Sequence, residues 1–292
     1  MDLPRRMGVT DDAELASTEL VVLDVETTGL SPRSDRVIEI ALCRSLDGNV
    51  VETYETLVNP GRPIGMGASA VNGIYDADVR DAPRFSEIAG DVKEFLGDAV
   101  LVCHNAPFDL GFLGMEMRRA GVNLPSPRVF DTLRIARANF RFRSNSLSAI
   151  ARELEIPTPV AHRALADALT THAVFHRFTA ELCRGATPML DRLVAAQGGA
   201  FHFEWSQVAP GCGQDEGLSS LALPPELQEA LASSRRLRLE YVDTSGRRTK
   251  RLVTPLEVYE NGYVYLLAFC HLRKAERHFR LDRVVTMRVE RQ

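Results

Sequence analysis

The sequence predicts an α/β domain, a sheet covered by helices, followed by a smaller all-β module. Three observations carry this. Residues 20–26 are apolar and β-branched and run into Thr27-Thr28-Gly29, as a buried strand entering a turn does. Strand-like segments come first and then alternate with segments of helical spacing, the order that lays helices on a sheet. Beyond Arg184 the texture changes to Gly- and Pro-rich loop, then to short strand-like runs divided by turns. With 292 residues, 45% of them apolar, the chain can give each part its own core.

Taken in order, residues 1–19 are a polar lead-in, and 20–26, 36–43 and 50–58 read as strands, closed by the breaker Asn59-Pro60-Gly61. Phe85, Ile88, Val92, Phe95 and Leu96 have helical spacing, and 99–103 is a short buried strand. Helices are expected over 108–120, over 146–154 with Ser146 as N-cap, and over 162–183. These elements assign an α/β domain to 20–196 and a linker to 197–220. The second module, 221–292, opens with a short helix behind Pro224 and continues as strands. Asn261-Gly262 between two apolar runs signals a hairpin, and several short strands in so few residues suggest a small barrel.

No apolar run reaches the ~18–20 residues that span a bilayer, and the polar start is not a secretory leader. The five cysteines are scattered without a CxxC pair, which argues against a disulfide framework or a structural zinc site. A soluble cytoplasmic protein is expected, with no membrane partner; the oligomeric state is left open. The net charge of -4 hides an asymmetry. Residues 235–292 carry 14 Lys and Arg against 7 Asp and Glu, leaving 21 basic and 32 acidic residues elsewhere. The C-terminal end therefore suits polyanions.

Asp24 and Glu26 lie two apart on the first strand and so share a face, about 6–7 Å apart along it. Such a pair at a strand end can clasp a divalent cation or simply be solvated. Asp109 follows the strand at 99–103 and falls in the first turn of the next helix, where a carboxylate also complements the helix dipole. His162 and Asp167 are five apart, which on a helix sets them about 140° apart. Both can face one site only if His162 precedes the helix, and Pro157 and Pro159 favour that.

Together these residues resemble the DEDDh family of 3′→5′ exonucleases, the family of the proofreading subunit of bacterial polymerase III. The likeness covers roughly 18–185. It rests on Val22-Leu23-Asp24-Val25-Glu26-Thr27-Thr28-Gly29-Leu30, Val37-Ile38-Glu39-Ile40, His104-Asn105-Ala106-Pro107-Phe108-Asp109, Phe130-Asp131-Thr132-Leu133 and His162-Arg163-Ala164-Leu165-Ala166-Asp167-Ala168. The resemblance implies a ribonuclease-H-like mixed sheet flanked by helices. It also implies that Asp24, Glu26, Asp109 and Asp167 hold two Mg²⁺ or Mn²⁺ ions, with His162 as general base. The chemistry agrees: two metals ~3.5–4 Å apart can activate a water, neutralise a phosphate and stabilise a leaving oxygen. Hard cations prefer carboxylate oxygens, and histidine titrates near neutrality. Thr28, Gly29, Leu30, Asn105 and Phe108 are expected at the terminal nucleotide, Leu30 and Phe108 as a wedge against its base. Glu39 reads as structural support, and Asp131 as a helix cap or as support for the site.

Residues 235–291 resemble the WYL domain, a small Sm- or SH3-like β-barrel, through Leu239-Glu240-Tyr241-Val242-Asp243, residues 251–256, Val264-Tyr265-Leu266 and residues 279–284. The family's namesake Trp is Val264 here. The resemblance implies a nucleotide or nucleic-acid ligand at Arg251, Tyr265, Arg280 and Arg283, or regulation of the attached domain. Arg280 and Arg283 can share a side only across a bulge or turn, and Asp282 is placed to pair with Arg280. The expected function is exonucleolytic hydrolysis at single-stranded DNA or RNA 3′ ends. An exoribonuclease is the enzymatic alternative, and a WYL-type ligand-responsive regulator the non-enzymatic one.

Overall fold

The computed structural model describes residues 13–158, 163–203, 205, 223–243, 246–260 and 263–290. A six-stranded sheet is built from β1 (Leu20–Thr27), β2 (Val37–Leu46), β3 (Asn49–Leu57), β4 (Val100–Cys103), β5 (Arg128–Asp131) and β6 (Phe201–His202). The strand order is β3-β2-β1-β4-β5-β6. β1, β4 and β5 run parallel, and β2, β3 and β6 add antiparallel pairs, so the sheet is mixed as expected.

Alternation along β1 divides its side chains between two cores. Val21, Leu23 and Val25 join one cluster with α3 (Phe85–Leu96) and α4 (Ala106–Arg119). Leu20 and Val22 join the other, with α5 (Thr132–Asn139), α6 (Leu147–Glu153), α7 (Ala164–Cys183) and α8 (Leu190–Ala196). Helices thus cover both faces. Two short helices in the segment after β3, α1 (Met66–Asn72) and α2 (Asp76–Val79), carry no periodic signal in a Gly- and Ala-rich stretch. β6 lies within the stretch expected as linker. Beyond it Phe203 packs on the α3–α4 core, and the Trp205 indole donates to the Pro125 carbonyl at 2.8 Å.

The C-terminal module comprises α9 (Pro225–Ser233), β7 (Leu237–Val242), β8 (Arg248–Glu260), β9 (Val264–Cys270), β10 (Ala275–Arg280) and β11 (Val284–Val289). Here the expected barrel is corrected. The strand order β10-β9-β8-β7-β11 leaves β10 and β11 as free edges, and the sheet stays open. A 3-10 turn at Leu281–Arg283 carries the chain from one edge to the other instead of pairing them. The apolar face is covered by a helix: Leu227 and Ala230 of α9 are fully buried among Leu237, Leu239, Val253, Val258, Leu266 and Ala268. Once α9 fills that face, ring closure is not needed to shield it from water.

Candidate active site

The site is set by where β1 outruns its neighbour. β1 pairs with β4 only from Leu20 to Val22, while its pairing with β2 continues to Thr27. Past Val22 the β4-facing edge of β1 is open, at the C-terminal end of the parallel strands where α/β folds place ligands. Asp24 and Glu26 stand on this overhang, in phase with Leu20 and Val22 and so on the face that α7 covers. Asp167 sits in the first turn of α7. One carboxylate oxygen from each of Asp24, Glu26 and Asp167 lies within 4.8 Å of the others, an arrangement able to hold a metal ion.

Asp109 reaches the same place from the opposite helix layer. Asn105, in the left-handed conformation (φ 73°), turns the chain from β4 into α4, and Asp109 falls in the first turn. Its Oδ1 accepts the Val25 amide at 3.2 Å, one of the donors that β4 leaves unpaired. His162 lies outside the described residues. α7 begins at Ala164, two residues later.

Two buried carboxylates brace these elements. Glu39 on β2 accepts Arg163 Nη2 at 2.6 Å and Nε at 2.9 Å, and also the Ala164 amide at 2.9 Å, fixing the start of α7. Asp131 caps α5 through the Leu133 amide at 2.9 Å and accepts the Asn105 and Ala106 amides at 3.0 and 3.3 Å. It therefore serves both the helix and the turn that delivers Asp109. His104 is bound by Thr132 Oγ1 at 2.8 Å and the Asn145 carbonyl at 3.0 Å, and burial pushes it down to about 4.

Electrostatically the site is short of positive charge. Burial, then repulsion from Asp109 and Asp167, raises Asp24 well above the usual carboxylate range. Burial, Asp167 and Glu39 push Glu26 up to about 8. Burial also raises Asp109, against the hydrogen bond from Val25. A divalent cation is the counter-charge such a group lacks, and Asp24, Glu26 and Asp167 offer it hard oxygens.

The residues expected at the terminal nucleotide are placed differently from one another. The Thr28 amide is used by the Arg36 carbonyl at 2.9 Å. Gly29 is pressed against Asp35, whose carboxylate holds the Ser31 amide at 3.1 Å, so no side chain fits there. Phe108 is half-buried against Phe112, with ring centroids 5.0 Å apart. Leu30 and Asn105 both contact the C-terminal module: Leu30 packs on its apolar cluster, and Asn105 Nδ2 donates to the Leu223 carbonyl at 3.3 Å. Sequence reasoning missed Asn72, at the end of α1, whose side chain faces the Glu26 carboxylate and favours its charged form. The one local signal was Gly73, which ends α1 in the left-handed conformation at φ 72°.

In the C-terminal module Arg251 and Arg283 line a cavity of about 320 Å³ together with Arg273, Arg277, His278 and Tyr241. Arg280 is engaged elsewhere. It forms a two-pronged pair with Asp282 at 3.0 and 2.6 Å and lies over the Tyr263 ring. Tyr265 stacks on Tyr259.

Fold and carboxylate cluster together define a nuclease of the ribonuclease-H-like class, and comparison with known proteins agrees. The chain belongs to the exonuclease family whose model matches residues 21–175, more than half its length, and a WYL domain model matches 223–289. It is 40% identical over 193 residues to a DNA polymerase III subunit epsilon-like protein of Rhodobacter capsulatus, covering 62% of this chain and 27% of the relative. It is 37% identical over 158 residues to the PolC-type DNA polymerase III of Bacillus cereus, covering 54% and 11%. The chain thus spans between about a tenth and a quarter of the length of these curated relatives. Among solved structures, exonuclease I shares the fold with a TM-score of 0.53 at 15% identity, over 87% of this chain and 55% of that one. No helix among the described residues is long and apolar enough to cross a membrane.

Proposed function

We propose that this protein is a metal-dependent 3′→5′ exonuclease that shortens nucleic acid, single-stranded DNA foremost, to mononucleotides. The observation that carries this reading is the convergence of Asp24, Glu26 and Asp167 within 4.8 Å at the end of β1. Asp109 joins them from α4, in a chain that belongs to the exonuclease family. Two Mg²⁺ or Mn²⁺ ions fit four converging carboxylates, and when bound they supply water activation and charge neutralisation at the phosphate. The chain's own part is to hold the four carboxylates in place. β1 presents two on one face, Glu39 and Arg163 fix the helix that brings the third, and Asp131 fixes the turn that brings the fourth. His162, next to Arg163, takes the proton of the attacking water.

The C-terminal module adds a polyanion-binding surface. Its support is the cluster of Arg251, Arg273, Arg277 and Arg283 around one cavity, in the C-terminal stretch with surplus positive charge. The test is digestion of single-stranded DNA labelled at either end, with Mg²⁺ or Mn²⁺, beside RNA and duplex DNA. Immediate release of a 3′ label as mononucleotide is expected. Early release of the 5′ label, or cutting of a closed single-stranded circle, contradicts the assigned polarity.

A further inference from the structure

The carboxylates lie at the C-terminal ends of β1 and β4, and the C-terminal module stands on the segments that leave this end of the sheet. Leu30, shortly after β1, packs into the cluster that holds Leu223 and Leu227. Asn105, after β4, donates to the Leu223 carbonyl and faces Gln228 Nε2 at 3.5 Å. Arg137, on the helix after β5, donates to Gln228 Oε1 at 2.8 Å and to the Pro225 carbonyl at 3.3 Å. On the far side, α1 seats Gly67 against the backbone of the 3-10 turn. A methyl group on Gly67 would overlap the Asp282 carbonyl oxygen and lie 2.6 Å from Arg283 Cα. The same short helix ends at Asn72, whose side chain faces Glu26.

The module therefore touches the rim of the site on both sides. It also holds Leu30 and Asn105, on the segments that follow β1 and β4. The contact is of the kind that parts. Among the described residues Leu30 is the one nuclease-side residue in the module's apolar cluster, and interfaces between domains without a large apolar area commonly allow relative motion.

We propose that the C-terminal module is a gate across the strand-entry end of the nuclease site, closed in this structure, with Gly67 as its latch. A single strand reaches the carboxylates when the α1 contact parts. This rests on the nuclease reading above, so its test is made to fail separately.

Gly67→Ala is the informative variant. Gly67 is helical and its φ is not positive, alanine favours helix over glycine, and the three atoms nearest the added methyl all belong to the other module. Binding of a short fluorescent oligothymidylate to the full-length protein is followed by anisotropy, with small-angle scattering reporting domain separation. The variant is expected to have a larger radius of gyration and to bind roughly tenfold more tightly, the shift for removing a closed state populated about ten to one. The double variant Arg137→Ala, Gln228→Ala loosens the opposite rim and should shift binding the same way. It carries the test if Gly67→Ala does not fold. Unchanged scattering for Gly67→Ala removes the latch. Equal or weaker binding by a separated variant overturns the gate and makes the module a supporting wall. Hydrolysis is measured in parallel: its absence in wild type and variants alike defeats the nuclease reading, while the binding comparison still decides the gate.

Discussion

At the scale of single residues, the site is a set of carboxylates held together against their own repulsion. Glu26 shows this most plainly, since its carboxyl is pushed from an ordinary value of 4.5 to about 8. A group whose folded pKa is raised contributes stability below its unfolded value and loses it as pH rises toward the folded value. His104 and His172, each pushed down to about 4 by burial, act in the opposite direction, but only below about pH 6.5. Among the described groups with shifted titration, the carboxylates are the ones that act between pH 6.5 and 8, and the melting temperature of the metal-free protein should fall across that window. Glu26→Gln should flatten the fall, and added Mn²⁺ should raise the melting temperature more at pH 8 than at 6.5. A variant with the wild-type slope would show that Glu26 is not the group titrating. By the same reasoning, Asp24→Ala or Asp167→Ala should abolish hydrolysis while metal-free stability holds or rises. Near-native turnover in either variant would remove that residue from the site.

At the scale of elements, the site depends on how α7 is started. Glu39 is fully buried, yet Arg163 is largely exposed, so removing the Glu39 charge strands no buried cation. What goes is a set of charge-assisted hydrogen bonds to Arg163 and Ala164. Glu39→Gln should therefore cost about 1–3 kcal/mol. It should also weaken Mn²⁺ binding, because Asp167 lies in the first turn of the loosened helix. Calorimetric melting and Mn²⁺ titration measure the two effects. If stability moves by less than about 0.5 kcal/mol, the range of an ordinary surface change, and Mn²⁺ affinity is unaltered, Glu39 is not the anchor. α1 is the contrasting element. Its Gly- and Ala-rich sequence shows no apolar period, and it is a helix that packs against the Leu281–Arg283 turn and β11. Short helices of this kind draw their stability from tertiary packing.

At the scale of the whole molecule, the net charge differs between the parts, acidic in the larger one that holds the carboxylates and basic in the C-terminal stretch around the arginine-lined cavity. Affinity for long single strands should therefore depend steeply on salt, with the dependence residing in the C-terminal module. Each phosphate neutralised by the protein adds about 0.7 to the slope of log affinity against log salt. Arg251→Ser with Arg277→Ser should lower the slope by about that amount for each phosphate these arginines neutralise, leaving the cleavage of very short strands intact. A full-length double variant with an unchanged slope would place the strand elsewhere and leave the cavity to a small anion or a protein contact.

The carboxylate cluster could be read because its signals are local. Asp24 and Glu26 share a face through the two-residue period of a strand, and Asp109 and Asp167 each open a helix behind a recognisable break. The α/β layering was equally legible, since apolar runs and helical spacing are written into consecutive residues. The contribution of tertiary structure lies where the chain meets distant parts of itself. The C-terminal strands have the alternation of a barrel, but α9 takes the apolar face and leaves the sheet open. Leu30 and Asn105 read as strand-binding residues, yet both are held by a module that starts more than a hundred residues later. Neither Asn72 on Glu26 nor Gly67 on Asp282 leaves any period behind. Such contacts are fixed by which surfaces come to face one another, and residue spacing along a single element cannot encode that.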